Sequence, residues 1–218
     1  MSLELLVSGI QQRFGYQTLR RASELIAART TLSTGMAVVD DLLDGGLLQG
    51  VAHNIAGRPT SGVTSLLYRT VASMQAREMP IIYLDMGSLF DPPIAAAMGV
   101  QIEKLLLLNE TALKHALFLI RTLAEQQLPC LVVLDHPPVL PLAQLKPVLR
   151  NSPLTLLTLS PQPLEQMQVV LQCRHREWRL QNGDVAGFSS DLHLLTHPFL
   201  RSRQLSMSFT IPKEEAHV

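Results

Sequence analysis

Excess charge of either sign is the first thing this sequence lacks. Its 218 residues carry 18 lysines and arginines against 18 aspartates and glutamates. A neutral chain has no global attraction to nucleic acid or to an anionic membrane, so direct DNA binding is expected to be weak or absent. Charged residues are sparse altogether, at 17%, while hydrophobic ones make up 47%. That balance excludes disorder and supports a sizeable core. Cysteine is scarce too: Cys130 and Cys173 are the only two. They lie far apart, form no metal-ligand spacing and read as buried free thiols. His53 and His136 stand alone and suggest no metal site. No apolar run is long enough to span a bilayer. The N-terminus lacks the basic flank of a secretion signal and is interrupted by Glu4, so a cytoplasmic location with no membrane partner is expected.

What is present is a strand, a glycine-bounded loop and a helix. An apolar run over 51–56 reads as a buried strand, and residues 66–77 read as a helix. Between them stand Gly57, Arg58, Pro59, Thr60, Ser61, Gly62, Val63, Thr64 and Ser65. A phosphate-binding loop has the pattern G-x-x-x-x-G-K-[ST] in this setting. Gly57 and Gly62 have its spacing and Thr64 is in place, but Val63 stands where the lysine belongs. Backbone N–H groups and a helix N-terminus still attract an anion there. No cation on the loop reaches a β- or γ-phosphate, and phosphoryl transfer depends on that charge.

Helical spacing of apolar residues predicts an amphipathic helix over 3–14, ended by Gly15, and a second stretch over 24–29. A short helix is expected over 36–43, with Asp40 and Asp41 on its wet side. Strands are expected over 81–85, 105–108, 130–134 and 154–159, and helices over 92–98, 110–126 and 142–150. Asp91, Pro92 and Pro93 give the helix start at 92. Strands alternating with helices imply a mostly parallel sheet with helices on both faces. From residue 168 the pattern turns to hairpins around Asn182 and Gly183, an antiparallel C-terminal extension. Residues 212–218 read as a flexible tail.

In this order the elements resemble the RecA-type recombinases. Ile10 to Gly15 (IQQRFG) resembles the end of that family's N-terminal helix. Leu32, Ser33, Thr34 and Gly35, followed by Asp40, Asp41, Leu42, Leu43, Gly45, Gly46 and Leu47, resemble the segment leading into its core. Residues 57–65 match its Walker A loop apart from Val63. Tyr83, Leu84 and Asp85, with Phe90, Asp91 and Pro92, resemble its next strand and helix start. Residues 131–135 resemble its Walker B strand, and Asp184 to Gly187 (DVAG) its closing hairpin. The resemblance implies an α/β RecA-like core over 32–211. Residues 1–31 would be an N-terminal helix and oligomerisation or partner segment, with Phe14, Tyr16, Leu19, Arg20 and Arg21 at the interface.

The departures from the family bear on function. The lysine is Val63. The glutamate that activates the attacking water is replaced by Gly87. The lysines that reach a neighbour's nucleotide fall near 196–199, where His197 is the only cation. Of the catalytic set, Asp135 survives as the carboxylate that would hold Mg²⁺ through water, or it merely closes a strand end and bonds the loop. The DNA-binding loops expected after Asp135 and Leu159 are short and carry little charge. The resemblance therefore implies a RecA-like protein that does not hydrolyse ATP and has no cofactor, with weak ATP–Mg²⁺ binding at Gly57, Gly62, Val63, Thr64, Ser65 and Asp135 left open. The tract Cys173 to Leu180 (CRHREWRL) is similar to the ImuA-type accessory proteins of bacterial translesion mutagenesis. That subgroup implies a damage-induced SOS protein acting through protein contacts, with a Y-family polymerase-like partner, RecA as a further one, and a homo- or hetero-oligomeric state. A regulatory ATP-binding switch and an active DNA-dependent ATPase are the alternatives. Within the tract, Arg174, Arg176 and Arg179 with His175 and Trp178 read either as a single-strand-binding patch or as the solvated face of a strand.

Overall fold

The computed structural model describes residues 3–14, 29–109, 112–137 and 140–210. The chain forms two compact units, Met1–Thr30 and Thr31–Val218. Within the first, α1 (Leu3–Phe14) carries Glu4 in its first turn and Arg13 in its last, the charge order a helix dipole favours. Gly15, Tyr16, Leu19, Arg20, Arg21, nearly all of the second helical stretch and the 212–218 tail lie outside the described residues.

The second unit is built on one eight-stranded sheet. Its strands are β3 (Ala52–Ala56), β4 (Ile81–Asp85), β5 (Leu105–Leu108), β6 (Leu131–Asp135), β7 (Thr155–Ser160), β8 (Val169–Gln181), β9 (Asp184–Thr196) and β10 (Arg203–Thr210). They lie in the order β10-β9-β8-β3-β7-β6-β4-β5. All neighbours from β8 to β5 run parallel, and β9 and β10 add antiparallel ladders beyond β8. A minor ribbon, β1 (Thr31–Leu32) with β2 (Leu47–Leu48), brackets α2 (Ala37–Leu43).

Side chains of period two sort each buried strand between two cores. Ile81, Tyr83, Leu131, Val133, Leu157 and Leu159 face α3 (Val63–Gln75) and α2, with Leu66, Leu67, Val71 and Met74 opposite them. Ile82, Leu84, Val132, Leu134 and Leu156 face α5 (Leu113–Glu125) and α6 (Leu142–Arg150), meeting Ala116, Ile120, Leu145 and Leu149. Between β4 and β5, α4 (Pro92–Ala97) starts as expected, with the Asp91 carboxylate accepting from Ile94 N–H at 3.0 Å. The expected mostly parallel sheet, its two helical layers and the antiparallel extension are all present.

One local expectation changes. Asp40 is not a solvated residue: its carboxylate accepts from the Ser33 hydroxyl (2.5 Å), the Thr34 N–H (2.7 Å) and the Thr34 hydroxyl (2.8 Å). The donors lie just ahead of α2, so Asp40 gains more by satisfying them than by facing water. The strand β5, though entirely apolar, is one of the two edge strands of the sheet, β10 being the other, with Leu106, Leu107 and Leu108 at 63%, 42% and 40% exposure.

Candidate functional site

The loop sits where the fold places ligand sites in parallel sheets, outside the C-terminal end of a central strand. It leaves β3 at Gly57, whose N–H donates to Ser160 O at 3.0 Å. The helix begins at Val63, three residues earlier than the sequence suggests, so Val63, Thr64 and Ser65 form its first turn. Valine here extends the apolar stripe Leu66, Leu67, Val71, Met74 by one more turn at the i, i+3, i+4 spacing. Its side chain is only 8% exposed. A Cβ on Gly57 would lie 2.6 Å from Val63 Cγ2, 2.3 Å from Ser61 Oγ and 2.8 Å from Cys173 O. The residue standing at the lysine position is thus a core residue folded back under its own loop.

The loop is also fastened from the far side. Phe188 of β9 and Phe209 of β10 are register partners whose rings stack at 4.9 Å and 21°. Gly62, with φ +90°, rests on that stack: a Cβ there would stand 2.8 Å from Phe209 Cε2 and 3.1 Å from Phe188 Cε2. Ser190 of β9 donates to Ser61 O at 2.8 Å. The C-terminal strands therefore form the floor of the loop. Sequence reasoning missed Phe188, Ser190 and Phe209, because only the β9–β10 register brings them beneath residues 61 and 62.

Asp135 closes β6 and is 4% exposed. Its carboxylate is engaged on both oxygens: Tyr83 donates to Oδ2 at 2.6 Å, and His136 Nδ1 lies 2.5 Å from Oδ1. Burial first, then the charge of Asp135, hold the Tyr83 hydroxyl far above its ordinary pKa, so it remains a donor. The equivalent carboxylate on β4, Asp85, is taken up by the N–H groups of Leu89 (2.9 Å) and Phe90 (3.1 Å). At Gly87, a Cβ would lie 3.2 Å from His136 Cβ. The space next to a side chain at position 87 is therefore occupied by His136.

A cavity of about 490 Å³ opens beside the loop, lined by Val63, Thr64, Ser65, Leu89, His136 and Trp178 among others. His136, read from sequence as an isolated histidine, thus joins the site through Asp135. The tract on β8 divides. Arg176 bulges out of the ladder and pairs with Asp191 at 3.6 Å and Ser206 at 3.1 Å. Trp178 packs at a tilt against His175, ring centroids 4.7 Å apart, and meets Phe188 edge-on at 5.8 Å. Arg179 is solvated. His197 accepts from the N–H groups of Phe199 and Leu200, both at 3.1 Å, and serves the turn between β9 and β10. Cys130 and Cys173 are buried free thiols, pushed up to about 11 and about 12 by burial. Among the described residues no cluster of histidine, cysteine, aspartate or glutamate is placed to hold a metal, and no helix is long and apolar enough to cross a membrane.

Tested against a hydrolysable nucleotide and its magnesium, these residues do not fit. The first-turn N–H groups of α3 suit an anion. The lysine position is packed into the core, position 87 has no carboxylate, and the oxygens of Asp135 are bonded to Tyr83 and His136.

A parallel sheet with a glycine-bounded loop after its central strand, closed by antiparallel strands, defines an α/β protein of the phosphate-loop class. The family model for the RecA N-terminal domain matches residues 1–160, and this chain belongs to that family. Protein RecA of Synechococcus sp. (strain CC9605) is 31% identical over 135 residues, 62% of this chain and 36% of that protein. Protein RecA of Prochlorococcus marinus (strain MIT 9211) is 30% identical over 135 residues, covering 37% of its length. The chain thus spans about a third of the length of the curated relatives it matches. The crystal structure of the RadB recombinase superposes with a TM-score of 0.61 at 19% identity, covering 83% of this chain and 96% of that one, a likeness of fold.

Proposed function

We propose that this chain is a non-catalytic RecA-like accessory protein of DNA repair and translesion mutagenesis, working through protein contacts with a DNA polymerase complex. The observation that carries the reading is Val63. At 8% exposure and packed against Gly57, it has turned the family's phosphate-reaching position into part of the core. The engaged oxygens of Asp135 and the missing carboxylate at Gly87 support the same reading. The open edge β5, with three exposed leucines in a row, supports work done at surfaces: an unpaired apolar edge is a template for another chain. Its partners under this reading are a Y-family polymerase-like protein and RecA, in a homo- or hetero-oligomer located in the cytoplasm.

The test is calorimetric titration of the protein with ATP and Mg²⁺ beside its Val63→Lys variant, followed by phosphate-release assays. The expected result is no turnover in either. Recombinase-like turnover that disappears with Asp135→Ala would overturn the proposal. A regulatory reading, nucleotide binding without hydrolysis, is favoured by one observation: the roughly 490 Å³ cavity against the first turn of α3. Micromolar binding without phosphate release would select it.

A further inference from the structure

A second cleft, of about 470 Å³, lies between the loop after β3, the turn after β7 and the middle of β8. It shares Gly57 to Thr60 and Pro161 with the first cavity. Beyond those it is lined by different residues: Ser61, Gln162, Gln172, Cys173, Arg174 and His175 in place of Val63, Thr64, Ser65 and His136.

Its chemistry is one-sided. Two guanidinium groups, Arg58 and Arg174, line it, and no aspartate or glutamate does. Neither arginine is paired with a carboxylate among the described residues. Arg174 spends only its Nε, on Gln172 Oε1 at 3.1 Å, which holds its stem and leaves the outer nitrogens free. Two side-chain polar atoms of the lining, Ser61 Oγ and His175 Nδ1, are buried without a hydrogen-bond partner. Ser61 is 3% exposed, so its hydroxyl cannot turn to bulk water. Leaving a buried polar group unmatched costs about 1–3 kcal/mol, so two at one cleft point to a ligand that completes them.

We propose that this cleft is an anion site, taking the phosphate of a small phosphate monoester between Arg58 and Arg174, with Ser61 Oγ–H donating to it. Two guanidiniums match a phosphate dianion better than a single carboxylate, in charge and in donor count. The volume exceeds that of inorganic phosphate and leaves room for an esterified group. The site goes beyond the accessory role and does not depend on it: neither Val63 nor Asp135 takes part.

The sole tryptophan, Trp178, packs against the His175 ring, centroids 4.7 Å apart, and reports on the cleft. The experiment is a fluorescence titration of the full chain at low ionic strength with inorganic phosphate and, separately, AMP, with calorimetry alongside. A saturable response to both is expected, AMP binding more tightly. Arg174→Ala should weaken each by about tenfold, the scale of one lost charge-assisted hydrogen bond, with Arg174→Lys restoring part of it. Ser61→Ala should weaken binding less, and Thr64→Ala should leave it unchanged. Thermal melting keeps the comparison to folded protein, and Arg174 is exposed enough to be replaced safely. AMP binding without any phosphate response would shift the recognised group to the nucleoside and overturn the assignment. Loss of binding in Thr64→Ala would place the ligand across the loop in the first cavity, with the same consequence. Absence of saturable binding by either method, or an unchanged affinity in Arg174→Ala, refutes the site.

Discussion

Replacing Gly62 by alanine tests whether the loop is held on its aromatic floor. Two costs add. A residue with a Cβ at φ +90° occupies a region that costs about 1–3 kcal/mol for non-glycine residues. The new methyl would stand 2.8 Å from Phe209 Cε2 and 3.1 Å from Phe188 Cε2, well inside van der Waals contact. Phe209 is 1% exposed and stacked, so it has little room to give, and overpacking of this kind costs about 1–3 kcal/mol. The sum is about 2–6 kcal/mol, equivalent to roughly 4–24 °C in Tm for a chain of this size. Urea unfolding at pH 7 measures it. Phe209→Leu will itself destabilise, through the cavity it leaves, but in that background Gly62→Ala should cost about 1–2 kcal/mol less, because the steric part is relieved while the backbone part stays. If Gly62→Ala costs under about 1 kcal/mol, or if the two changes simply add, the loop does not rest on the rings and its rigid seating is wrong.

Other perturbations follow from the same contacts. His53 is buried and neutral: its Nδ1–H donates to Val51 O at 3.1 Å while Nε2 accepts from Leu48 N–H at 3.0 Å, and burial, the largest cause, lowers its pKa to about 4. The unfolded chain therefore binds the proton more readily, and stability present above pH 6.5 should fall as pH drops toward 4, by up to about 3 kcal/mol; a His53→Gln variant with the same slope between pH 7 and 4.5 would refute this. Tyr83→Phe removes the 2.6 Å donor from the buried Asp135 carboxylate and should cost about 1–3 kcal/mol in urea unfolding, with Asp135→Asn recovering part of it; equal costs in both backgrounds would deny the pairing. Leu106→Lys at the open edge should leave thermal stability within about 0.5 kcal/mol while abolishing self-association or partner capture in sedimentation and pull-down, since a 63% exposed leucine has little burial to lose.

Much of the architecture was legible in the sequence because it rests on local periodicity. The apolar runs at β4, β6 and β7, the helical spacing over 113–125, the proline pair that opens α4 and the Asn182–Gly183 turn each announce one element, and their alternation fixes a parallel sheet. The loop announced itself in the same way, through two glycines at fixed spacing. The valine at position 63 could be seen to remove a charge. That it also seals the position was not visible, because the fold of the loop that sets Val63 Cγ2 against Gly57 is closed from outside by Cys173 O, which reaches Gly57 only after β8 has joined β3.

Covalent neighbours and residue types thus determined the family, the order of elements and the loss of the lysine and glutamate. These are properties of single positions and short windows, which need no partner to be read. The tertiary structure alone decided what the remaining groups do. Asp135 is spent on Tyr83, 52 positions away, the loop lies on two phenylalanines from the last hairpin, and the apolar β5 is left at an edge. Each depends on strand order and register, where side chains far apart in sequence come within a few ångströms, and no local pattern encodes that.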